Sequence, residues 1–399
     1  MSLTSCAALA AAQTPLWAAG SDPYGGFSGN KDHKYVKALA TDYDFGLTPE
    51  EEERAKELHA KIVVFDNLAE VCFYPEFIDN CKAGGVTAGN MTLGLADMFG
   101  FTPEKSIQPE QFWSWEALKL DLARLPSLAR TFGDDLMITY NHADILQAKK
   151  EGKVGIFPGA QNTTFIGRDV SRLKQAYDMG LRISQLSYND SNFIASGSAE
   201  KPEAQFGLSA LGERVVGTMN DLGMLVDTGH CSSPTMMRAA EVSEKPISVS
   251  HAGMRSKVDQ FRSITDEAFK VVADKGGVLG ILSTPSALNG TDRCTVDDYL
   301  DNIEHAVNVG GIDHVGYASD FSIPLTIDHI FSLPGWDPEV AARIGDFAVW
   351  PWSDGHVGYE NNSGAINLTR GLVKRGYSDE DIAKIMGGNW MRLIADTVG

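Results

Sequence analysis

The sequence predicts an α/β protein, a (β/α)8 or TIM barrel of eight parallel strands with insertions over its C-terminal mouth. Three observations predict it. Short apolar runs recur eight times along the chain, most of them set off by glycine or proline. They are apolar throughout rather than alternating, as strands buried on both faces are. Helix signals lie between them, so the strands run parallel with helical crossovers. Eight such units favour closure into a barrel over an open doubly wound sheet.

The elements follow in order. Thr48-Pro49-Glu50-Glu51 has capping-box spacing and opens a helix that leads to a first strand at Ile62–Phe65. Gly84-Gly85 precedes Val86–Met91, and Gly152 and Pro158 bracket Val154–Phe157. Ile183–Leu186 follows Gly180, Met224–Val226 follows Gly223, and Ile247–Val249 follows Pro246. Val278–Leu282 comes after Gly276-Gly277 and His314–Ala318 after Gly310-Gly311. Thr265-Asp266-Glu267 starts one crossover helix, and Thr295 with Asp298 starts another. Two stretches depart from the unit: 92–153, with Trp113 and Trp115, and 321–365, with Trp336, Trp350, Trp352 and His356. Both are read as excursions over or beside the barrel mouth. The barrel is assigned to residues 45–399 and an N-terminal extension to 1–44.

Bulk properties bound the function. The chain has 399 residues, 43% hydrophobic and 22% charged, with a net charge of −19. Such acidity argues against nucleic acid and anionic membrane surfaces as partners. No run approaches the roughly 18 consecutive apolar residues of a membrane span. Residues 5–20, Ala-rich with small residues, resemble the tail of a secretory signal, but no Lys or Arg precedes Lys31. An exported, periplasmic protein and a cytoplasmic one with a flexible leader both fit. The five cysteines, Cys6, Cys72, Cys81, Cys231 and Cys294, show no metal spacing. Cys72 and Cys81 are close enough to pair after export, although buried thiols are the plainer reading.

In such barrels the chemistry sits behind the C-terminal ends of the strands. The residues expected there are Asp66–Glu70, Asn90, Gln161, Tyr188, His230, His251, Ser283 and Asp320. A single histidine in such a place is more often a hydrogen-bonded structural residue than a ligand. Two at successive strand ends, His230 and His251, reverse that preference, and Asp320 stands beside them. Neutral imidazole and carboxylate are what a catalytic zinc with an open position takes. Arg262, read alone, is a solvated charge.

At these residues the chain resembles a known family. Val226-Asp227-Thr228-Gly229-His230, Val249-Ser250-His251 with Arg262 eleven residues on, and Ala318-Ser319-Asp320-Phe321 are similar to consecutive signatures of the membrane (renal) dipeptidases, metal-dependent amidohydrolases. Arg375–Ile382 followed by Met386-Gly387-Gly388-Asn389-Trp390 adds to the likeness, which spans about residues 48–399. The resemblance implies two zinc ions sharing a bridging Glu, with the counterparts of His230 and His251 holding one ion and a His-x-Asp after the first strand helping to hold the other. It implies that Asp320 binds metal and handles the proton, and that Arg262 meets a substrate carboxylate.

The sequence departs from that pattern at three places. Leu68 and Glu70 stand where His-x-Asp belongs, Gln161 where the bridging Glu belongs, and Tyr188 where a substrate-polarising His belongs. A leucine has no lone pair, and a neutral amide cannot offset two dications. One divalent ion at most, zinc by preference, is therefore expected, on His230 and His251 with Gln161, Glu70 or Asp320 and water completing it. Asp320 is the expected base, and Tyr188 a hydrogen-bond donor to substrate or oxyanion. The function expected is hydrolysis of an amide, in a dipeptide or similar small carboxylate-bearing substrate. The rivals are a catalytically silent ligand-binding barrel and another hydrolysis such as lactone opening. A homodimer is left open.

Overall fold

Hydrophobic strand ends and glycine turns arrange the chain as the pattern above requires. The computed structural model of the protein describes residues 39–70, 75–94, 113–291, 293–321 and 356–399. Its central sheet consists of β1 (Phe65–Glu70), β2 (Ala88–Thr92), β3 (Val154–Ala160), β4 (Ile183–Gln185), β5 (Leu225–Asp227), β6 (Ser248–Met254), β7 (Val278–Leu282) and β8 (Val315–Ala318). Each pairs in parallel with the next, in chain order. β8 then returns to β1. Asp320 N–H donates to Leu68 O at 2.8 Å, and Ser319 Oγ donates to the same carbonyl at 3.1 Å. The ring is nearly closed, and the parallel eight-stranded barrel is the fold.

Helices cover the outside, one crossover after another: Pro75–Ala83, Ser171–Asp178, Ala210–Leu222, Ser233–Val242, Asp266–Asp274 and Val296–Gly310. Thr48 forms the expected capping box with Glu51, and Thr295 forms another with Asp298. Gly223 ends its helix in the left-handed conformation (φ 72°), where glycine carries no Cβ penalty.

Strand limits differ from the apolar runs in informative ways. The first strand is Phe65–Glu70, not Ile62–Phe65, because the ladder to β2 holds polar residues that find partners inside. Asp66 Oδ1 accepts from Leu68 N (3.2 Å) and Ser319 N (2.9 Å), and Oδ2 accepts from Asn362 Nδ2 (3.1 Å). Burial raises the Asp66 carboxyl to about 7. Asn90 likewise lies inside β2 rather than behind it. β6 runs on to Met254, so His251 lies within the strand, where a register shift between Val249 and Ala252 disturbs the ladder to β7. A short strand at Leu136–Ile138, not read from the sequence, pairs with the first half of β3, before β3 meets β4 at Gly159.

The two ends of the barrel differ in polarity. At the N-terminal end Phe65, Ala88, Phe157, Ile183, Leu225 and Val278 pack on Trp390, Met391, Leu393 and Ile394 of the helix Asn389–Thr397. Phe65 and Trp390 stack with centroids 5.6 Å apart. That apolar floor leaves the opposite end for chemistry. Cys231 and Cys294 are buried free thiols, and Cys81 is buried. His356 lies against Cys294 (Nδ1 to Sγ 3.0 Å) on a second, two-stranded sheet. Cys6, Cys72 and the segment with Trp336, Trp350 and Trp352 lie outside the described residues. Among the described residues no helix is long and apolar enough to cross a membrane.

Candidate active site

The site grows from the turn after β5. Asp227 ends the strand, and Thr228-Gly229 brings His230 over the barrel mouth. Only glycine fits at 229. A Cβ there would lie 2.8 Å from both Gln185 Oε1 and Ser250 Oγ, and 3.0 Å from His251 Nδ1. This close approach lets the turn after β5 meet the side chains of β6.

His230 and His251 converge, as expected from the sequence. Both are fully buried, and their Nε2 atoms are 2.8 Å apart. Their other nitrogens are committed. His230 Nδ1 lies 2.7 Å from Asn189 Oδ1, an acceptor, so Nδ1 carries the proton. His251 Nδ1 lies 2.8 Å from Ser250 Oγ, whose hydroxyl donates to Asp227 Oδ2 at 2.6 Å. That Oγ therefore accepts from His251 Nδ1–H. Each ring thus turns a bare Nε2 lone pair towards the other. Burial first, and the Arg262 charge second, hold His230 well below its usual pKa, with His251 adding to the effect; the same two causes depress His251.

Asp320 stands beside the pair, with Oδ2 3.9 Å from His251 Nε2. Burial raises its carboxyl to about 7, against the pull of Arg262. Tyr188 stacks on His230 at a centroid distance of 4.0 Å, and Trp113 packs on Tyr188 at 5.5 Å. Burial, with Asp320 adding, pushes the Tyr188 phenol well up, so it stays a neutral donor. Arg262 is not the solvated charge its isolated sequence context suggested. It is buried, its Nη1 donates to Gly229 O (2.6 Å) and its Nη2 to His251 O (3.2 Å), while Nε–H meets no acceptor among the described residues.

The first-strand half is built differently. Leu68 is buried and bonds through its backbone alone, its carbonyl accepting from Asp320 N–H and Ser319 Oγ and its N–H donating to Asp66. Gln161 donates from Nε2 to Thr92 Oγ1 (2.8 Å), and its Oε1 meets no partner among the described residues. It joins the histidine cluster through Gln185, whose Nε2 donates to Gln161 O at 2.7 Å. The side chain of Glu70 lies outside what the structure describes.

Two groups at the site escaped the sequence reading, Asn189 and the Asp227–Ser250 pair. Asp227 and Ser250 lie within the quoted motifs, each close to a histidine in sequence, and Asn189 follows Tyr188 directly. Backbone strain also marks the site. Among the described residues the non-glycine residues with left-handed φ are Trp113 (60°), Asn189 (54°) and Asp320 (52°).

A metal fits the histidine half. Two facing lone pairs at 2.8 Å repel unless a cation lies between them. Two imidazoles sharing a tetrahedral zinc hold their nitrogens roughly 3.3 Å apart, given Zn–N bonds of about 2.0–2.1 Å. A small opening of the pair reaches that separation. In the first-strand half, Leu68 offers no side-chain ligand.

The barrel, with two histidines and a carboxylate together at its mouth, and a family match together place the chain in the metal-dependent amidohydrolase class. Within it, the chain matches the sequence profile of the membrane dipeptidases, peptidase family M19, over residues 101–334, more than half its length, and it belongs to that family. The match begins after β1, so Leu68 and Glu70 lie outside it. A dipeptidase of Claviceps purpurea, tcpJ, is 26% identical over 274 residues, which are 68% of this chain and 58% of that protein. The chain spans about half the length of the curated relatives it matches. Among solved structures, an amidohydrolase from Pseudomonas aeruginosa superposes with a TM-score of 0.76 at 28% identity, covering 86% of this chain and 99% of that one. A metallopeptidase from Rhodobacter sphaeroides, liganded with a phosphinate mimic of L-Ala-D-Ala, shares the fold with a TM-score of 0.66 at 18% identity, over 84% of this chain and 99% of that one. Family membership supports a hydrolase of the peptidase or amidohydrolase kind, and implies a divalent metal.

Proposed function

We propose that the protein hydrolyses an amide bond in a small substrate bearing a carboxylate, a dipeptide or close analogue, with one divalent ion held by His230 and His251. The observation that carries this reading is the pair of facing Nε2 lone pairs with the Asp320 carboxylate alongside. When bound there, a divalent ion supplies Lewis acidity to the scissile carbonyl and to the attacking water. The chain's own residues do the rest. Asp320 takes the proton from the attacking water and returns it to the leaving amine, a role its position over the pair supports. Tyr188, neutral and fixed on the His230 ring, donates a hydrogen bond to the oxygen that gains charge. Arg262 turns its free Nε–H towards a substrate carboxylate while its other nitrogens clamp the turns beneath the histidines.

The test combines metal analysis of protein purified without chelator with turnover of dipeptides and of one lactone. One equivalent of zinc with dipeptide cleavage is the expected result. Zinc without amide cleavage, but with lactone opening, would move the assignment within the superfamily. Neither metal nor turnover would make this a silent barrel, a reading that Leu68 and the amide of Gln161 favour.

A further inference from the structure

From the hydrogen-bond directions around β5 and β6 we infer that Asp227 is a positioning residue. It acts through the Ser250 hydroxyl to keep the His251 proton on Nδ1 and so leaves Nε2 free to ligate. The inference rests on the metal reading above, and it assigns a task to a carboxylate that touches neither substrate nor metal.

The argument follows the donors. Asp227 Oδ1 accepts from Ser250 N–H at 2.7 Å and from Ser248 Oγ at 3.0 Å. Its Oδ2 accepts from Ser250 Oγ at 2.6 Å. With the hydroxyl proton committed to Oδ2, Ser250 Oγ has only lone pairs to offer His251 Nδ1 at 2.8 Å. The imidazole must therefore donate from Nδ1. Gly229, which admits no side chain, keeps the relay compact by letting Gln185, Ser250 and His251 crowd its Cα. All members are buried, so water cannot replace any link. His230 reaches the same proton placement by a separate, one-step device, Asn189 Oδ1.

The relay makes a prediction that a merely structural carboxylate would not. In Asp227→Asn the amide has one oxygen and one NH2 where the carboxylate had Oδ1, facing Ser250 N–H and Ser248 Oγ, and Oδ2, facing Ser250 Oγ. Ser250 N–H is a backbone donor and cannot turn, so the amide oxygen must remain opposite it. The NH2 then takes the place of Oδ2 and donates to Ser250 Oγ. The hydroxyl proton swings to His251 Nδ1, and the imidazole moves its proton to Nε2. No proton is gained or lost by the ring; the ligating lone pair has changed sides.

Two readouts on the full chain test this. Nitrogen NMR of the histidine rings in zinc-free protein should show His251 as the Nδ1–H form in the wild type and the Nε2–H form in Asp227→Asn. Competition with a chromophoric chelator should show zinc affinity falling about 10- to 100-fold in Asp227→Asn, with a loss in Ser250→Ala and little change in Ser250→Thr, which keeps the hydroxyl. A wild-type His251 already protonated on Nε2 overturns the inference, as does a weakened Asp227→Asn whose His251 stays Nδ1–H. If the wild type binds no zinc, the metal reading fails, and the tautomer comparison still decides the relay. Should Asp227→Asn not fold, the wild-type tautomer and the two Ser250 variants carry the decision.

Discussion

At the scale of single residues the site is, on the proposed function, two half-sites of unequal quality, the histidine half with directed lone pairs and the first-strand half with Leu68 and the amide of Gln161. His251→Ala should therefore remove bound metal altogether, read as metal per chain after desalting. The triple change Leu68→His, Glu70→Asp and Gln161→Glu should raise the metal content from one ion towards two. Two full equivalents in the unaltered protein would refute the unequal-halves picture. On the proposed function Arg262 has a double task, and a lysine can replace only part of it, since it lacks the planar fork that reaches two carbonyls at once. Arg262→Lys should lower kcat/KM for carboxylate-bearing substrates far more than for their amidated analogues. Equal loss on both would leave Arg262 a clamp only. That His230, His251 and Asp320 come together was legible because polar residues recurred just behind the apolar runs. The tasks of Asp227 and Asn189 were not, because they depend on which atom donates, and hydrogen-bond direction leaves no mark on residue spacing.

At the scale of elements, the helix Pro49–Lys61 is tied to its neighbours through a buried histidine. With the ring neutral, His59 Nε2–H donates to Gly84 O at 2.7 Å and Nδ1 accepts from Thr369 Oγ1 at 2.7 Å. Burial lowers its pKa from 6.5 to about 4. The unfolded chain therefore binds a proton at His59 between those values while the folded chain does not. Its contribution is complete above about pH 6.5 and is lost as pH falls to about 4, amounting to about 3 kcal/mol over the window. Denaturant unfolding of the wild type and of His59→Gln should show the pH slopes diverging in that interval. Parallel slopes would mean that His59 is not neutral in the fold. The element limits show what apolar runs can and cannot reveal. β7 coincides with its run, Val278–Leu282, because every residue in it is apolar or glycine and buried. β1 does not, because Asp66 sits inside the ladder, and a carboxylate in a strand looks like a loop residue when its partners, Ser319 and Asn362, lie hundreds of positions away. Leu136–Ile138 was missed because three residues flanked by polar positions carry no period.

At the scale of the whole molecule, one helix closes the floor that six strands share. Trp390→Ala should cost about 3–5 kcal/mol of stability, the usual toll for removing a buried aromatic ring, while zinc affinity at the far end of the barrel stays within a few-fold. A comparable loss of both would mean that the floor and the mouth are mechanically coupled. The repeated strand–helix unit made the barrel legible, but its unit count said nothing about which segment would seal the floor.

That seal also sets a timetable. Phe65 lies on the first strand, whereas Trp390 follows all eight in the chain. During synthesis the nascent chain therefore carries its barrel with an open, greasy underside until the helix Asn389–Thr397 clears the ribosome. Contacts so distant in sequence form slowly and leave apolar surface waiting. This protein's dependence on chaperones should thus be concentrated in the interval before residues 389–397 emerge.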